Sequence, residues 1–482
     1  MAISTIINKL RGKKILILGF GKESASSYAF IRKHLPQIPL TIANKDQLAD
    51  IAVFVNDPHV RLLTGKRYLD TINKYDIVLK SPGISLKHIV NFVDRDKISS
   101  QTDLFLQAFA PQCIGVTGTK GKSTTASFIY HVLNHLQMHT LLAGNIGIPP
   151  FDIVEDITPD TNIVLELSSH QLEFIHKSPH ISILLNIFEE HLDHYNSLLD
   201  YMQAKFNIAR FQSKKDYFIN NTEDISTANL FKTNKIASQL VGFSLSANPW
   251  SAFYIKNHYF CRVENGKEKK ICKITSDFPL KGEHNLVDTA AVLAAVSCVK
   301  NIDTSKIKEA IYSFKGLPHR LEFVGKFNGI LFYNDSISTV PQSTIAAVQA
   351  LKNVDALILG GLDREINYCP LIDFIRTTDI EHLFFIGEAG RKIMRLFSRH
   401  PEVKGYYYPS EKNYFFCTSY EQIVRIAKEC TKKGSICLLS PAAASYDMFR
   451  NFEHRGDTFK ELVRSRKKLD KKKKYGKVKR ET

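Results

Sequence analysis

Residues 115–124 read "GVTGTKGKST", a spacing of glycine, lysine and hydroxyl suited to gripping phosphate. Glycines let backbone N–H groups turn inward on phosphate oxygens, a lysine supplies compensating charge, and the hydroxyl that follows is placed to hold Mg2+. On this reading Gly118, Thr119, Lys120, Gly121, Lys122, Ser123 and Thr124 form a nucleotide-phosphate loop, with Lys122 on the phosphates and Ser123 on the metal. The spacing departs from the strict pattern. Val116 stands where the first glycine is expected, and Gly118 lies three places before Gly121. Lys120 reads equally well as an exposed loop lysine.

Such a loop requires an acidic metal ligand at a neighbouring strand end. In "IVLELSSHQLE" Glu166 closes an apolar run; a carboxylate buried without a partner is costly, so a metal or another cation is its expected companion. Glu173 and Glu189 read as surface acids. After the apolar "ISILLNI" comes "FEEHLDHY", which puts His191 at a second strand end. Magnesium prefers oxygen, so His191 taken alone reads as a satisfied polar residue. Lys205, in "YMQAKF", taken alone reads as a helix-surface lysine.

The elements that must position these groups form three α/β segments, each opening on a strand. In the first, "KKILILGFGKESASSYAFIRKH" is a strand, a glycine turn and a helix, with Gly19 and Gly21 but Ser24 where a dinucleotide fingerprint has its third glycine. NAD is poorly supported there, whereas a diphosphate-containing ligand at the helix N-terminus is compatible. Further strands are expected at "LTIAN" and "DIVLKSPGI". The second segment carries the phosphate loop, the nearly all-apolar strands "TNIVLELSS" and "HISILLNIFEEH" of a mainly parallel sheet, and a helix at "GEHNLVDTAAVLAAVSCVK". Its stretch from about 213 to 280 alternates like antiparallel strands. The third holds "GILFYNDS", "VDALILGG", "EHLFFIG" and "SICLLSP", four strands separated by helical stretches.

Length and composition agree with several soluble domains: 482 residues, 44% hydrophobic, 23% charged. No apolar run approaches the roughly 20 residues of a membrane span, and no secretory signal is read at the N-terminus; a cytosolic protein is expected. Eight scattered cysteines without a C-x-x-C pair argue against zinc knuckles and a disulfide framework and read as buried free thiols. Of the net charge of +17, nine belong to residues 464–482, with 11 lysines and arginines against two acids. This tail is expected to be a solvated, disordered segment. A nucleic-acid-binding ATPase is the rival that the tail suggests.

Taken in order, "GVTGTKGKST", "GNIG", "ELSSHQLE", "NIFEEHLDHY", "YMQAKF", "GEHN", "GLPHRLE", "NDS", "LGG" and "SPAAASYDMFRNFEHRGDTF" resemble the motifs of the Mur ligases, and the last of them most resembles the glutamate-adding branch. The resemblance runs from about Lys14 to about Leu462. It implies three domains: residues 1–108 for a UDP moiety, 109–315 as the phosphate-loop ATPase, and a Rossmann-like 316–463 for the amino acid, followed by the tail. The implied chemistry is ATP-dependent amide formation on UDP-N-acetylmuramoyl-L-alanine through an acyl phosphate, with two Mg2+ ions and no nucleic acid or membrane insertion, in a protein expected to be a monomer.

By the same resemblance Lys122 binds the γ-phosphate, Ser123 and Glu166 hold one magnesium, and His191 holds the second. Lys205 matches a carbamylated lysine that acts as a carboxylate-like ligand. Asn145 falls beside the reacting groups, Asn285 and Arg320 on the nucleotide, and Asp335 on the ATP ribose. Lys22, Glu23, Asn44, Ser81, Pro82 and Gly83 take the uridine-diphosphate positions, Asn44 standing where an acid is common. Thr339, Arg364, Ser445 and Phe452 take those for glutamate. In "NDSIST", Ile337 replaces the family's lysine, and Arg364 stands where another lysine does; arginine grips a carboxylate bidentately. D-glutamate is the expected amino acid and L-glutamate the alternative. A folylpolyglutamate-type or other Mur-type ligase is the nearest enzymatic rival.

Overall fold

Short runs of leucine, isoleucine, valine and phenylalanine become the buried strands of three sheets. The computed structural model describes residues 2–46, 54, 56–70, 72–87, 93–191, 193–280, 282–299, 304–398 and 412–465; most of the basic tail, 466–482, lies outside them. The chain divides into two compact units, Met1–Pro279 with Glu283–Phe314, and Leu280–Gly282 with Lys315–Thr482.

The first sheet contains β1 (Ile15–Leu18), β2 (Leu40–Asn44), β3 (Val60–Thr64), β4 (Ile77–Lys80) and β5 (Ile98–Ser99). It is wholly parallel in the order β3-β2-β1-β4-β5. The second contains β6 (Cys113–Thr117), β7 (Thr140–Gly144), β8 (Asn162–Glu166), β9 (Ile181–Leu184), β10 (Tyr217–Asn221), β11 (Gln239–Phe243), β12 (Phe253–Lys256), β13 (Tyr259–Glu264) and β14 (Lys267–Lys273). Only its β12-β13-β14 end is antiparallel. Both sheets belong to the first unit, and one apolar core runs through them, from Ile17 and Phe105 to Ile163 and Phe206.

The aromatic alternation of "DYFINN" suggested an antiparallel strand, but β10 pairs parallel with β9. The helix Leu198–Arg210 between them supplies the crossover that parallel pairing needs. The expected antiparallel piece is therefore confined to residues 253–273.

The second unit is built on β15 (Glu322–Phe327), β16 (Ile330–Asn334), β17 (Val354–Gly360), β18 (His382–Ile386), β19 (Asn413–Cys417) and β20 (Ile436–Leu439), ordered β15-β16-β20-β17-β18-β19. The four expected strands are its interior, β16, β20, β17 and β18. The two unexpected ones, antiparallel β15 and half-buried β19, are its edges. At the β15 edge, covered on fewer sides, the apolar run is interrupted by Gly325 and Lys326.

All eight cysteines are free thiols; Cys369 is exposed, against the expectation of burial, and Cys298 and Cys430 are half-buried. Among the described residues no helix is long and apolar enough to cross a membrane.

Candidate active site at the phosphate loop

Strand β6 lies between β8 and β9, with Val116 opposite Glu166 and Thr117 opposite Leu184. Its exit loop therefore emerges beside the ends of both neighbours. Gly121, at φ +87°, precedes the helix Lys122–His135; a Cβ there would meet Asp288 Oδ2 at 2.7 Å. Glycine at 121 is thus required by both backbone and packing. No side chain caps this helix, and its first-turn N–H groups are those a phosphate would satisfy. Asn285 lies on the same helix as Asp288, Glu283–Val299.

The loop is braced by Asn186, which the sequence reading did not single out. Its Oδ1 accepts from the N–H of Thr119 at 3.1 Å and of Lys120 at 2.9 Å, and its Nδ2 donates to the Lys120 carbonyl at 3.1 Å. Lys122 Nζ folds back to the Thr119 carbonyl at 3.0 Å, while exposed Lys120 pairs with Glu190 at 2.7 Å. Ser123 is half-buried and Thr124 buried.

Glu166 ends β8 and is 1% exposed. One carboxylate oxygen accepts from Asn145 Nδ2 at 3.0 Å; the other is buried without a hydrogen-bond partner. The "GNIG" turn is moulded to this strand end: a Cβ on Gly144 would stand 2.2 Å from the Glu166 carbonyl, and the Asn145 N–H donates to that same oxygen at 2.8 Å.

Lys205 is no surface lysine. It lies on the inner face of the helix Leu198–Arg210, 2% exposed, its Nζ donating to the Gly118 carbonyl at 2.7 Å. Burial first, and then the neighbouring Lys122, hold its pKa well below the usual lysine range. Tyr201, one turn earlier, places its ring 4.8 Å from that Nζ and its hydroxyl 2.9 Å from Thr119 Oγ1.

His191 sits in a left-handed backbone conformation, φ +61°, half-exposed at the same sheet edge. Its ring is 4.8 Å from that of His170, which in turn lies 4.1 Å from His194. Burial lowers the His191 pKa; burial together with the charges of His194 and His191 takes His170 down to about 3. The His170 Nε2 is buried without a hydrogen-bond partner. His170 was legible only as one letter of "ELSSHQLE".

The first sheet reaches this edge through a buried ion pair. Lys80, at the end of β4 and immediately before Ser81-Pro82-Gly83, lies 3.2 Å from Glu173, whose other partner is His194 at 3.1 Å. Glu173 is thus an inward group, not a surface acid. Burial alone would raise its carboxyl, but His194 and Lys80 hold it below the usual range; Glu189 is exposed as expected. Glu23 hydrogen-bonds Gln171, and burial pushes its carboxyl up to about 7 despite Gln171 and Lys80. Ser24 bonds Ser81, Oγ to Oγ, at 2.6 Å, so the serine in the third glycine position ties the two turns together. Lys22 and Gly83 are exposed, Pro82 and Asn44 half-buried, and Asn44 Nδ2 is turned back on the Asp46 carbonyl at 2.9 Å.

The remaining candidates belong to the second unit. Asp335, 3% exposed, follows β16 and accepts from Ser338 at 2.5 Å, Ser440 at 2.8 Å and the Leu321 N–H at 3.1 Å; burial nevertheless raises its carboxyl to about 6. The Arg320 Nε is buried without a hydrogen-bond partner. Arg364 is exposed, its guanidinium 5.8 Å from the Tyr446 ring centroid; Ser445 is buried, while Thr339, Phe452 and Ile337 are half-buried. Arg455, unremarked in the sequence, is 1% exposed and pins this region by donating to Ser336 Oγ at 2.9 Å, the Ser336 carbonyl at 2.8 Å and the Ala443 carbonyl at 3.0 Å.

Within one unit, then, the structure gathers the phosphate loop, Asn145, Glu166, His191 and Lys205 at one sheet edge. Residues 116–296 match the Mur ligase middle domain. A protein from Acetivibrio thermocellus named UDP-N-acetylmuramoylalanine--D-glutamate ligase is 32% identical over 463 residues, covering 95% of this chain and 97% of its own length. The chain belongs to the Mur ligase family. A protein of the same name from Clostridium botulinum is 31% identical over 95% of this chain and 97% of its own. Solved Mur ligases share the fold. MurC from Thermotoga maritima superposes with a TM-score of 0.53 at 18% identity, over 93% of this chain and 98% of its own. MurF from Acinetobacter baumannii does so at 0.57 and 15%, over 93% of each.

Proposed function

We propose that this Mur ligase joins D-glutamate to UDP-N-acetylmuramoyl-L-alanine at the expense of ATP, in the cytoplasm and as a monomer. The observation that carries the reading is the Glu166 carboxylate, buried with one oxygen unpartnered beside a phosphate loop and two inward lysines, Lys122 and Lys205. The names of relatives spanning nearly the whole chain supply the substrates.

The donor set fits Mg2+. Glu166 with its desolvated oxygen and Ser123 with its hydroxyl would hold one ion, and His191 with a ring nitrogen would hold the second. Mg2+ bound there would neutralise phosphate charge and align the reacting oxygens. Lys205 as a plain amine would not ligate, but its depressed pKa maintains the neutral form that can add to CO2, losing a proton to become a carbamate.

The chain's own groups divide the remaining work. The first-turn amides and Lys122 bind the nucleotide phosphates. Asn145, fixed by Glu166, orients the substrate carboxylate that attacks the γ-phosphate to form an acyl phosphate and ADP. The glutamate amine then adds to the acyl carbon, and the tetrahedral adduct expels phosphate. Asn285, Arg320 and Asp335 serve the nucleotide, Lys22, Glu23, Asn44 and the Ser81-Pro82-Gly83 turn the uridine diphosphate, and Thr339, Arg364, Ser445 and Phe452 the glutamate.

Phosphate release from purified protein with ATP, Mg2+ and UDP-N-acetylmuramoyl-L-alanine tests the reading, run with D- and L-glutamate side by side. D-glutamate-dependent release is expected. Ile337, which removes a cation from the glutamate site, favours L-glutamate as the second reading, and release with neither enantiomer sinks both.

A further inference from the structure

We propose that the N-terminal edge of the third sheet is a binding site for a zinc-like divalent cation, ligated by Asp355, Glu381 and His382. Asp355 is the second residue of β17 and His382 the first of β18, parallel neighbours in which His382 pairs with Ala356. Three ligand types thus come from two adjacent strand starts. One ligand atom of each lies within 4.8 Å of the others, and His382 Nδ1 stands 3.4 Å from Asp355 Oδ2. With metal–ligand bonds of about 2.0–2.1 Å, the ligand atoms of a tetrahedral zinc site stand roughly 3.3 Å apart. The His–Asp separation already has that value.

A second observation points to a missing partner. Asp355 and His382 are each 7% exposed, yet His382 Nδ1 is buried and makes no hydrogen bond. A buried ring nitrogen near a carboxylate, but not hydrogen-bonded to it, is an arrangement that a shared cation would satisfy. Asp355 Oδ2 also accepts from the Lys432 N–H at 2.8 Å, the kind of outer support that orients a metal-binding carboxylate.

This site is separate from the phosphate chemistry. Asp335 lies just past the C-terminal end of β16, which runs parallel to β20 and through it to β17; the cluster is at the opposite edge, about 15 Å or more away at roughly 3.3 Å per residue. An imidazole among the ligands favours zinc over magnesium, which takes oxygen.

The test is titration of chelator-treated, full-length protein with Zn2+ in excess Mg2+, by calorimetry and by equilibrium dialysis with elemental analysis. One Zn2+ per chain is expected, with no binding in His382→Gln and affinity lowered about tenfold or more in exposed-site Glu381→Gln. Cys369→Ser, which removes the exposed thiol, should bind like the parent, and Glu381→Gln should keep its turnover at saturating Mg2+. Absence of stoichiometric Zn2+ in the parent protein, or affinity unchanged in Glu381→Gln, overturns the proposal; if His382→Gln does not fold, Glu381→Gln decides alone.

Discussion

Glu166 and Asp335 occupy equivalent places, each a carboxylate at the C-terminal end of a buried parallel strand and each at most 3% exposed, but their surroundings differ. Asp335 is saturated by the protein: two hydroxyls and a backbone N–H converge on it. Glu166 has one partner, Asn145, and an oxygen with none. Likewise, Arg455 in the second unit is held by three internal acceptors, whereas Lys205 in the first has one carbonyl and a depressed pKa. Asp335 and Arg455 thus rigidify the loops they join, whereas Glu166 and Lys205 are left incompletely satisfied, as groups completed by a ligand would be.

Breaking the first member of the comparison should have the largest effect. Glu166→Gln and Lys205→Met should each lower turnover about a hundredfold or more, measured as phosphate release, while the ligand-free thermal midpoint of Glu166→Gln stays level or rises because a buried carboxylate with an unpartnered oxygen has gone. A falling midpoint in Glu166→Gln would show that this carboxylate is structural, like Asp335. Arg455→Met should do the opposite, destabilising by about 1–3 kcal/mol in urea unfolding through orphaned buried acceptors. Retained stability there would erase the contrast.

The pH dependence sharpens it further. Burial raises the Asp335 carboxyl from 3.8 to about 6, so between those values the folded state holds a proton that the unfolded state has lost. Its contribution to stability should therefore fall as pH rises from about 4 to about 6, and Asp335→Asn should flatten that part of the unfolding profile. The smallest effect is expected from deleting residues 467–482: turnover within about twofold, and no change in the salt dependence of activity. A lost affinity for RNA or DNA with a shallower salt dependence would instead revive the nucleic-acid reading.

The most apolar strands, such as β1, β8, β9 and β17, and the glycine loop were legible because both are local: an apolar run must be buried, and glycines at 118 and 121 permit a turn that few other residues can make; the parallel pairing of β10 was not. Glu166 was legible as a charge inside such a run. Lys205 and Glu173 were not, since a helix-borne lysine or acid looks the same in sequence whether its face meets solvent or a neighbouring loop. Asn186 and Arg455 escaped for the same reason. Their roles are defined by backbone groups 66 and 119 residues away. The ordered motifs carried the family, which the relatives then bore out.

By itself, then, the sequence determined the α/β character, the order of the three sheets along the chain, the glycine loop between strand and helix, and the family. Tertiary structure alone decided which charges are satisfied by the fold and which await a ligand. That distinction depends on desolvation and on partners brought together from distant segments, which neighbours in the chain do not specify.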